Sequence, residues 1–237
     1  MFGDSYTTPQ FCVSPENSFW GLIAQALKVN SIDNFSHPGF SFDHIIHLIL
    51  NEDFDYHQDY FVIGIPPLVR YITYSDNFIT TWHKHAYANL FGDVRQVVVE
   101  SLSNTQKFNF EEQFQNNKQG ITRFNAEWND VQNLEKIFLL HQYLMSKQAK
   151  FIMVNLSNPI HYQDMWPAGK NIMNKIYQLN ECIVFSDTYY SVNYHDRIKP
   201  ADFDIYGWQG HHGEEGNRNW YNKVLELKIK QLGWIDA

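Results

Sequence analysis

The run Phe2-Gly3-Asp4-Ser5 places a serine beside a glycine and an acid. A serine hydroxyl becomes a nucleophile only when a neighbouring base takes its proton. The pair His211-His212, in GWQGHHGEEGN, supplies candidates for that base. Distance along the chain is no obstacle, because such pairs are defined in space. The plainer readings are a turn serine and a histidine pair that caps a helix or faces solvent. Asp4 is a poor partner acid, since a neighbour of the nucleophile on one turn points elsewhere; an Asx turn that ties the loop is its simpler role. His83 and His85, in WHKHAY, stand at i, i+2, and on a strand both would face one side, as metal ligands can. No cysteine cluster or HExxH stretch accompanies them, so they read as two polar histidines and no metal is assigned. The chain has no P-loop, no dinucleotide Gly-x-Gly-x-x-Gly and no Gly-x-Ser-x-Gly elbow. No cofactor is implied.

Residues so far apart meet only if a fold brings them together. In SFWGLIAQALK (18–28), Trp20, Ile23, Ala24 and Leu27 share one face of a helix. Further helices are expected over 40–51, 128–148 (with apolar Val131, Leu134, Ile137, Phe138 and Leu139), 169–180 and 214–233. DYFVIGI (59–65) is a continuous apolar run ended by Pro66-Pro67, and KFIMVNL (150–156) is another, as suits buried parallel strands. CIVFS (182–186), a weak strand at 29–35 and a stub at Met1–Gly3 bring the count to five. The alternation predicts an α/β fold around a parallel sheet with right-handed crossovers. Residues 71–127 are long for a crossover and are expected to form an insertion over one end of the sheet. Ser5 then follows the first strand, Gly39 the second and Gly64 the third. His211 lies between the last strand and the last helix. All four fall at the carboxyl edge, where open parallel sheets bind ligands.

On these residues the chain resembles the GDSL/SGNH hydrolases, a family of serine esterases with a flavodoxin-like fold. Gly3-Asp4-Ser5 matches the first family block, SFWGLIAQAL the tryptophan-bearing helix after it, and Gly39 the second block. His211, with Gly216 five residues on and the helix NRNWYNKVLELK behind it, matches the last. The resemblance covers the chain outside 71–127. It implies one domain over 1–237, a three-layer sandwich around a parallel sheet of about five strands, with the insertion after the third strand. It also implies Ser5 as nucleophile and His211, rather than His212, as base. The backbone N–H groups of Ser5 and Gly39 would serve as oxyanion donors.

Two positions depart from the family pattern. The third block, Gly-x-Asn-Asp, is Gly64-Ile65-Pro66-Pro67 here, so a donor side chain is replaced by proline. Losing one such donor costs about 10²–10³ in rate. A compensating donor is therefore expected; Arg70 is a candidate, with a surface ion pair as its simpler role. The last block's aspartate position is Trp208, which cannot accept a hydrogen bond from imidazole. Gln209 can orient the ring without charge, Asp202 and Asp204 lie upstream in KPADFDIYGW, and a Ser–His dyad held by a backbone carbonyl is a third arrangement.

The implied reaction transfers an acyl group to water through an acyl-enzyme on Ser5. Aromatic residues of the insertion (Tyr71, Tyr74, Trp82, Tyr87, Phe91, Phe108, Phe110 and bordering Trp128) suit sugar rings, and at least one is expected near Ser5. An O-acetyl carbohydrate is the first expected substrate class and a short-chain acyl ester the second. The alternative is a catalytically weak or inactive protein of the same fold that binds glycan or serves in an assembly.

Composition narrows the classes further. A net charge of -8 argues against a nucleic-acid partner, which needs clustered lysine and arginine. Cys12 and Cys182 are the two cysteines, too few for a disulfide framework or a zinc spacing. The N-terminus lacks the basic and apolar regions of a signal peptide. FDHIIHLILNEDF is too short and too charged to span a bilayer. A soluble protein, cytoplasmic or virion-associated, is expected.

Overall fold

The computed structural model describes residues 1–3, 7, 14–36, 41–66, 70–75, 78–83, 126–156, 167–198 and 212–236, with backbone alone for 70–75, 78–83 and 126–130. The fold is mixed α/β. Strands β1 (Tyr60–Ile65), β4 (Lys150–Asn155) and β5 (Cys182–Ile183) form a parallel sheet in the order β1-β4-β5. Tyr60 pairs with Lys150 and Ile65 with Asn155, so β1 and β4 run in full register. β2 (Arg70–Ser75) and β3 (Phe78–His83) form a separate antiparallel hairpin that begins soon after β1 ends and lies against α2 (Phe42–Asn51).

The strand interiors, Phe61–Ile65 and Phe151–Val154, are apolar and buried because both faces of the sheet are covered. Phe61, Ile63 and Ile65 join Phe151 and Met153 in a cluster with α2, α3 (Ala126–Ser146) and α4 (Pro167–Ile176). Val62, Ile152 and Val154 point the other way, against α1 (Phe19–Leu27) and the C-terminal helices α6 (Glu214–Trp220) and α7 (Glu226–Gln231). A π-helical segment, Tyr221–Leu225, joins α6 to α7. Period-two alternation thus divides one core into two layers.

Local signals fix the helix starts. Ser18 caps α1, its Oγ accepting from Gly21 N at 3.0 Å. A 3-10 turn, Pro15–Asn17, crosses the first turn of α1 closely enough that a Cβ at Gly21 would meet the Pro15 carbonyl oxygen at 1.9 Å.

The elements differ from the sequence reading in several places. Residues 29–35 form no strand, although Asp33 O accepts from the Met1 nitrogen (2.7 Å) and Phe35 N donates to Met1 O (2.8 Å). The stub Met1–Gly3 is reduced to one bridge, Phe2 to Ile63. The 182–186 strand is two residues long. A helix α5 (Tyr189–His195), capped by Thr188, was not expected. In α3 the buried stripe is Val131, Leu134, Ile137, Leu140 and Leu144; Leu139 is 64% exposed, because i, i+3, i+7 spacing places Leu140 on the buried face. Among the described residues, no helix is long and apolar enough to cross a membrane.

Burial, with the Glu181 carboxylate adding, pushes the Cys182 thiol up to about 12. At pH 8 the thiolate fraction is then about 10⁻⁴, against roughly a quarter for a free cysteine. In native protein treated with iodoacetamide, the Cys182 peptide is expected to stay unmodified, and to react fully in urea. Peptide mass spectrometry reads both states; rapid native alkylation would contradict the raised thiol.

Candidate functional site

Phe2 N donates to Val62 O at 2.9 Å and Gly64 N donates to Phe2 O at 2.8 Å, so the first residues lie parallel alongside β1. Gly3 and Gly64 therefore sit near one another at the carboxyl edge. Thr7 is fully buried over both. A Cβ on Gly3 would come within 2.4 Å of Thr7 Oγ1, and one on Gly64 within 3.1 Å of Thr7 Cγ2 and 2.6 Å of Leu156 Cδ1. The threonine side chain occupies the space that the two glycines leave. Asn34 Nδ2 donates to Thr7 O at 2.8 Å, holding the segment down from the other side. Glycine is needed here because the Thr7 and Leu156 side chains fill the space a Cβ would take.

Asn155, the last residue of β4, is buried and donates through Nδ2 to Val184 O at 2.8 Å, stitching the ends of β4 and β5 together. Beyond β5 the chain turns through Asp187, whose φ is 54°. Its carbonyl accepts from Trp220 Nε1 at 2.8 Å.

The second half of the edge is built around His212. Its ring is 3% exposed and packs edge-on against Tyr189, centroids 5.4 Å apart. Its carbonyl accepts from Tyr189 Oη (3.2 Å) and from Asn217 Nδ2 (3.2 Å). Gly216 is a steric necessity: a Cβ there would lie 2.4 Å from His212 Cβ and 3.0 Å from its Cγ. Asn193 Nδ2 lies 3.2 Å from the same point. Asn193 Oδ1 accepts from Asn219, which also donates to Asp196 Oδ2 at 2.6 Å. The hydrogen bonds from Asn219 and Lys223 hold the Asp196 carboxyl below the usual carboxylate range.

Gly216→Ala is expected to destabilise the fold by up to about 2 kcal/mol. The helix gains roughly 1 kcal/mol in propensity, but overpacking costs about 1–3 kcal/mol. His212 Cβ is fixed to a buried turn and cannot swing aside as a flexible side-chain tip would. Urea denaturation measures the balance, and an unchanged or raised midpoint would show that the turn yields.

Ser5, Gly39, Asp204, Gln209 and His211 lie outside the described residues, as do Asp4, Asp202, Trp208 and His85. Of the positions named from sequence, Gly64, Pro66, Gly216 and His212 are described. Pro66 is buried directly after β1. His212, the competitor of His211, is committed to the interior. Arg70 and His83 are register partners on the hairpin, as are Tyr71 and Trp82, while Tyr74 pairs with Ile79. Tyr87, Phe91, Phe108 and Phe110 lie outside the described residues.

Thr7, Tyr189, Asn193 and Asn217 were not singled out from sequence. Among the described residues, one hollow of about 920 Å³ lies along β5 and another of about 370 Å³ beside Met1 and Asp33. Neither is lined by Gly3, Thr7, Gly64 or His212. No family model matches the chain, no curated protein matches it, and no solved structure matches it.

Proposed function

We propose that this chain is a serine ester hydrolase of the GDSL/SGNH type, with Ser5 as nucleophile and His211 as its base. The reaction is hydrolysis of an O-acetyl carbohydrate or a short-chain acyl ester through an acyl-enzyme. The observation that carries this reading is the hydrogen bonding of Met1 and Phe2. Phe2 bridges to β1, and Met1 exchanges bonds with Asp33 and Phe35 on its other side. Counted outward, the parallel segments are 182–183, 150–155, 60–65, 1–2 and 33–35. Taken with the three-strand sheet, these contacts support the 2-1-3-4-5 order of flavodoxin-like sheets, which bind ligands at the switch point between the first and third strands. Helices on both faces fit the three-layer form.

Gly3, Gly64 and Thr7 stand at that switch point. Ser5 is two residues from Gly3 and two from Thr7 in sequence, and His211 directly precedes the anchored His212. Buried Pro66 favours the rival reading, a weak or inactive glycan-binding or assembly protein, because proline has no N–H to offer an oxyanion. A fluorophosphonate reagent with peptide mapping separates the two. The esterase takes one phosphonyl group on Ser5. A folded protein that stays unlabelled is the rival.

A further inference from the structure

Asn217 joins two parts of the chain that are remote in sequence. Its Oδ1 accepts from Phe19 N at 2.9 Å, the first amide of α1. Its Nδ2 donates to Gly213 O at 3.0 Å and His212 O at 3.2 Å, and stands 3.1 Å from Tyr189 Oη. The side chain is 4% exposed. An asparagine amide has two donor hydrogens and one acceptor oxygen, and this one uses both ends. Asparagine suits the place because the acceptor must meet an orphan N–H at a helix start while the donors meet two carbonyls of a turn. Asn17 adds an outer link between the same two elements, donating to Glu214 Oε1 at 2.9 Å and accepting from Arg218 at 3.3 Å.

We propose that Asn217 is the positioning residue that fixes the His212–Gly213 turn against the first turn of α1. On the esterase reading above, on which this role in catalysis rests, it sets the histidine-bearing turn relative to the segment that follows the Ser5 block. Asn217 touches no reacting atom in this scheme. It acts through the turn, and the buried bonds leave the turn one position.

The experiment compares wild type with Asn217→Asp and Asn217→Ala as full-length proteins. Hydrogen–deuterium exchange of peptides covering His212–Gly216 is read beside the rate of fluorophosphonate labelling, with melting curves as a control. Asn217→Asp keeps an acceptor for Phe19 N but loses both donors, so it should behave like Asn217→Ala in the turn. Both variants are expected to exchange about tenfold faster at His212–Gly216 while core strands stay protected. Labelling per folded molecule should fall by up to about 10²-fold, the cost of a small misplacement. Tyr189→Phe, which removes one donor to His212 O, should give a smaller change in the same peptides and covers the case of unfolded Asn217 variants. Wild-type exchange at the turn in the folded variants, or in Tyr189→Phe where those variants do not fold, overturns the proposal. So does wild-type labelling with faster exchange, since the turn would then move without consequence for the site. If wild type itself is never labelled, the esterase reading falls, and the exchange comparison alone decides the latch.

Discussion

Ser5→Ala is expected to remove turnover of p-nitrophenyl acetate and all fluorophosphonate labelling, while the urea midpoint stays near that of wild type. Removal of a nucleophile that acts as a unit with its base costs on the order of 10³-fold or more in rate. The packing among the described residues there is made by Gly3, Gly64 and Thr7. Trp208 at the family's aspartate position bears on the absolute rate. Without a carboxylate on the imidazole the loss can reach about 10⁴-fold, so turnover is expected to be slow and covalent labelling is the more sensitive readout. The rate should fall at acidic pH, because a protonated ring cannot accept the serine proton. Unchanged turnover in Ser5→Ala would remove the central assignment.

The parts of this fold that were legible in sequence are those where one physical signal dominates. YFVIGI and KFIMVN are buried on both faces, and an unbroken apolar run says so directly. Ser18 before an amphipathic stretch marked the start of α1 to within a residue. Elsewhere two signals compete. Among the described residues the backbone of 33–35 bonds to Met1 alone, a pairing too narrow to make a strand. CIVFS carries the strand formers Ile183, Val184 and Phe185, but β4 offers partners only to Cys182 and Ile183 before Asn155 takes the Val184 carbonyl with its side chain. α5 was hidden because TYYSVNYH has no apolar stripe; its start depends on Thr188 Oγ1 accepting from Ser191 N. The hairpin has the alternation of RYITYS and FITTWH on either side of Asp76-Asn77, a two-residue connection of the type hairpins favour. It was read only as part of a long insertion. At the site, close-packed glycines were legible by type and spacing, whereas Asn217 and Tyr189 act through contacts between elements that no local pattern records.

Trp220→Ala is expected to be the most destabilising single change in the C-terminal half. The indole is completely buried. It packs edge-on against Phe19 at 5.0 Å and Tyr189 at 5.2 Å, so one ring ties α6 to α1 and to α5. Its Nε1 donates to Asp187 O at 2.8 Å, which holds the turn after β5 where a non-glycine residue keeps a φ of 54°. Truncating a buried tryptophan costs about 3–5 kcal/mol, from lost transfer energy and the cavity left behind. The orphaned Asp187 carbonyl adds to the upper end of that range where water does not reach it. Trp220→Phe separates the two contributions: it keeps most of the apolar contact and loses the donor, so its cost should be well below that of alanine. Asn217, three residues earlier on the same helix, holds the histidine turn. Loosening α6 should therefore lower fluorophosphonate labelling per folded molecule as well as stability. Urea denaturation of the three proteins gives the ranking. If Trp220→Ala unfolds within about 1 kcal/mol of wild type, the cavity has collapsed at little cost. The aromatic triad would then not be what docks the C-terminal helix against α1.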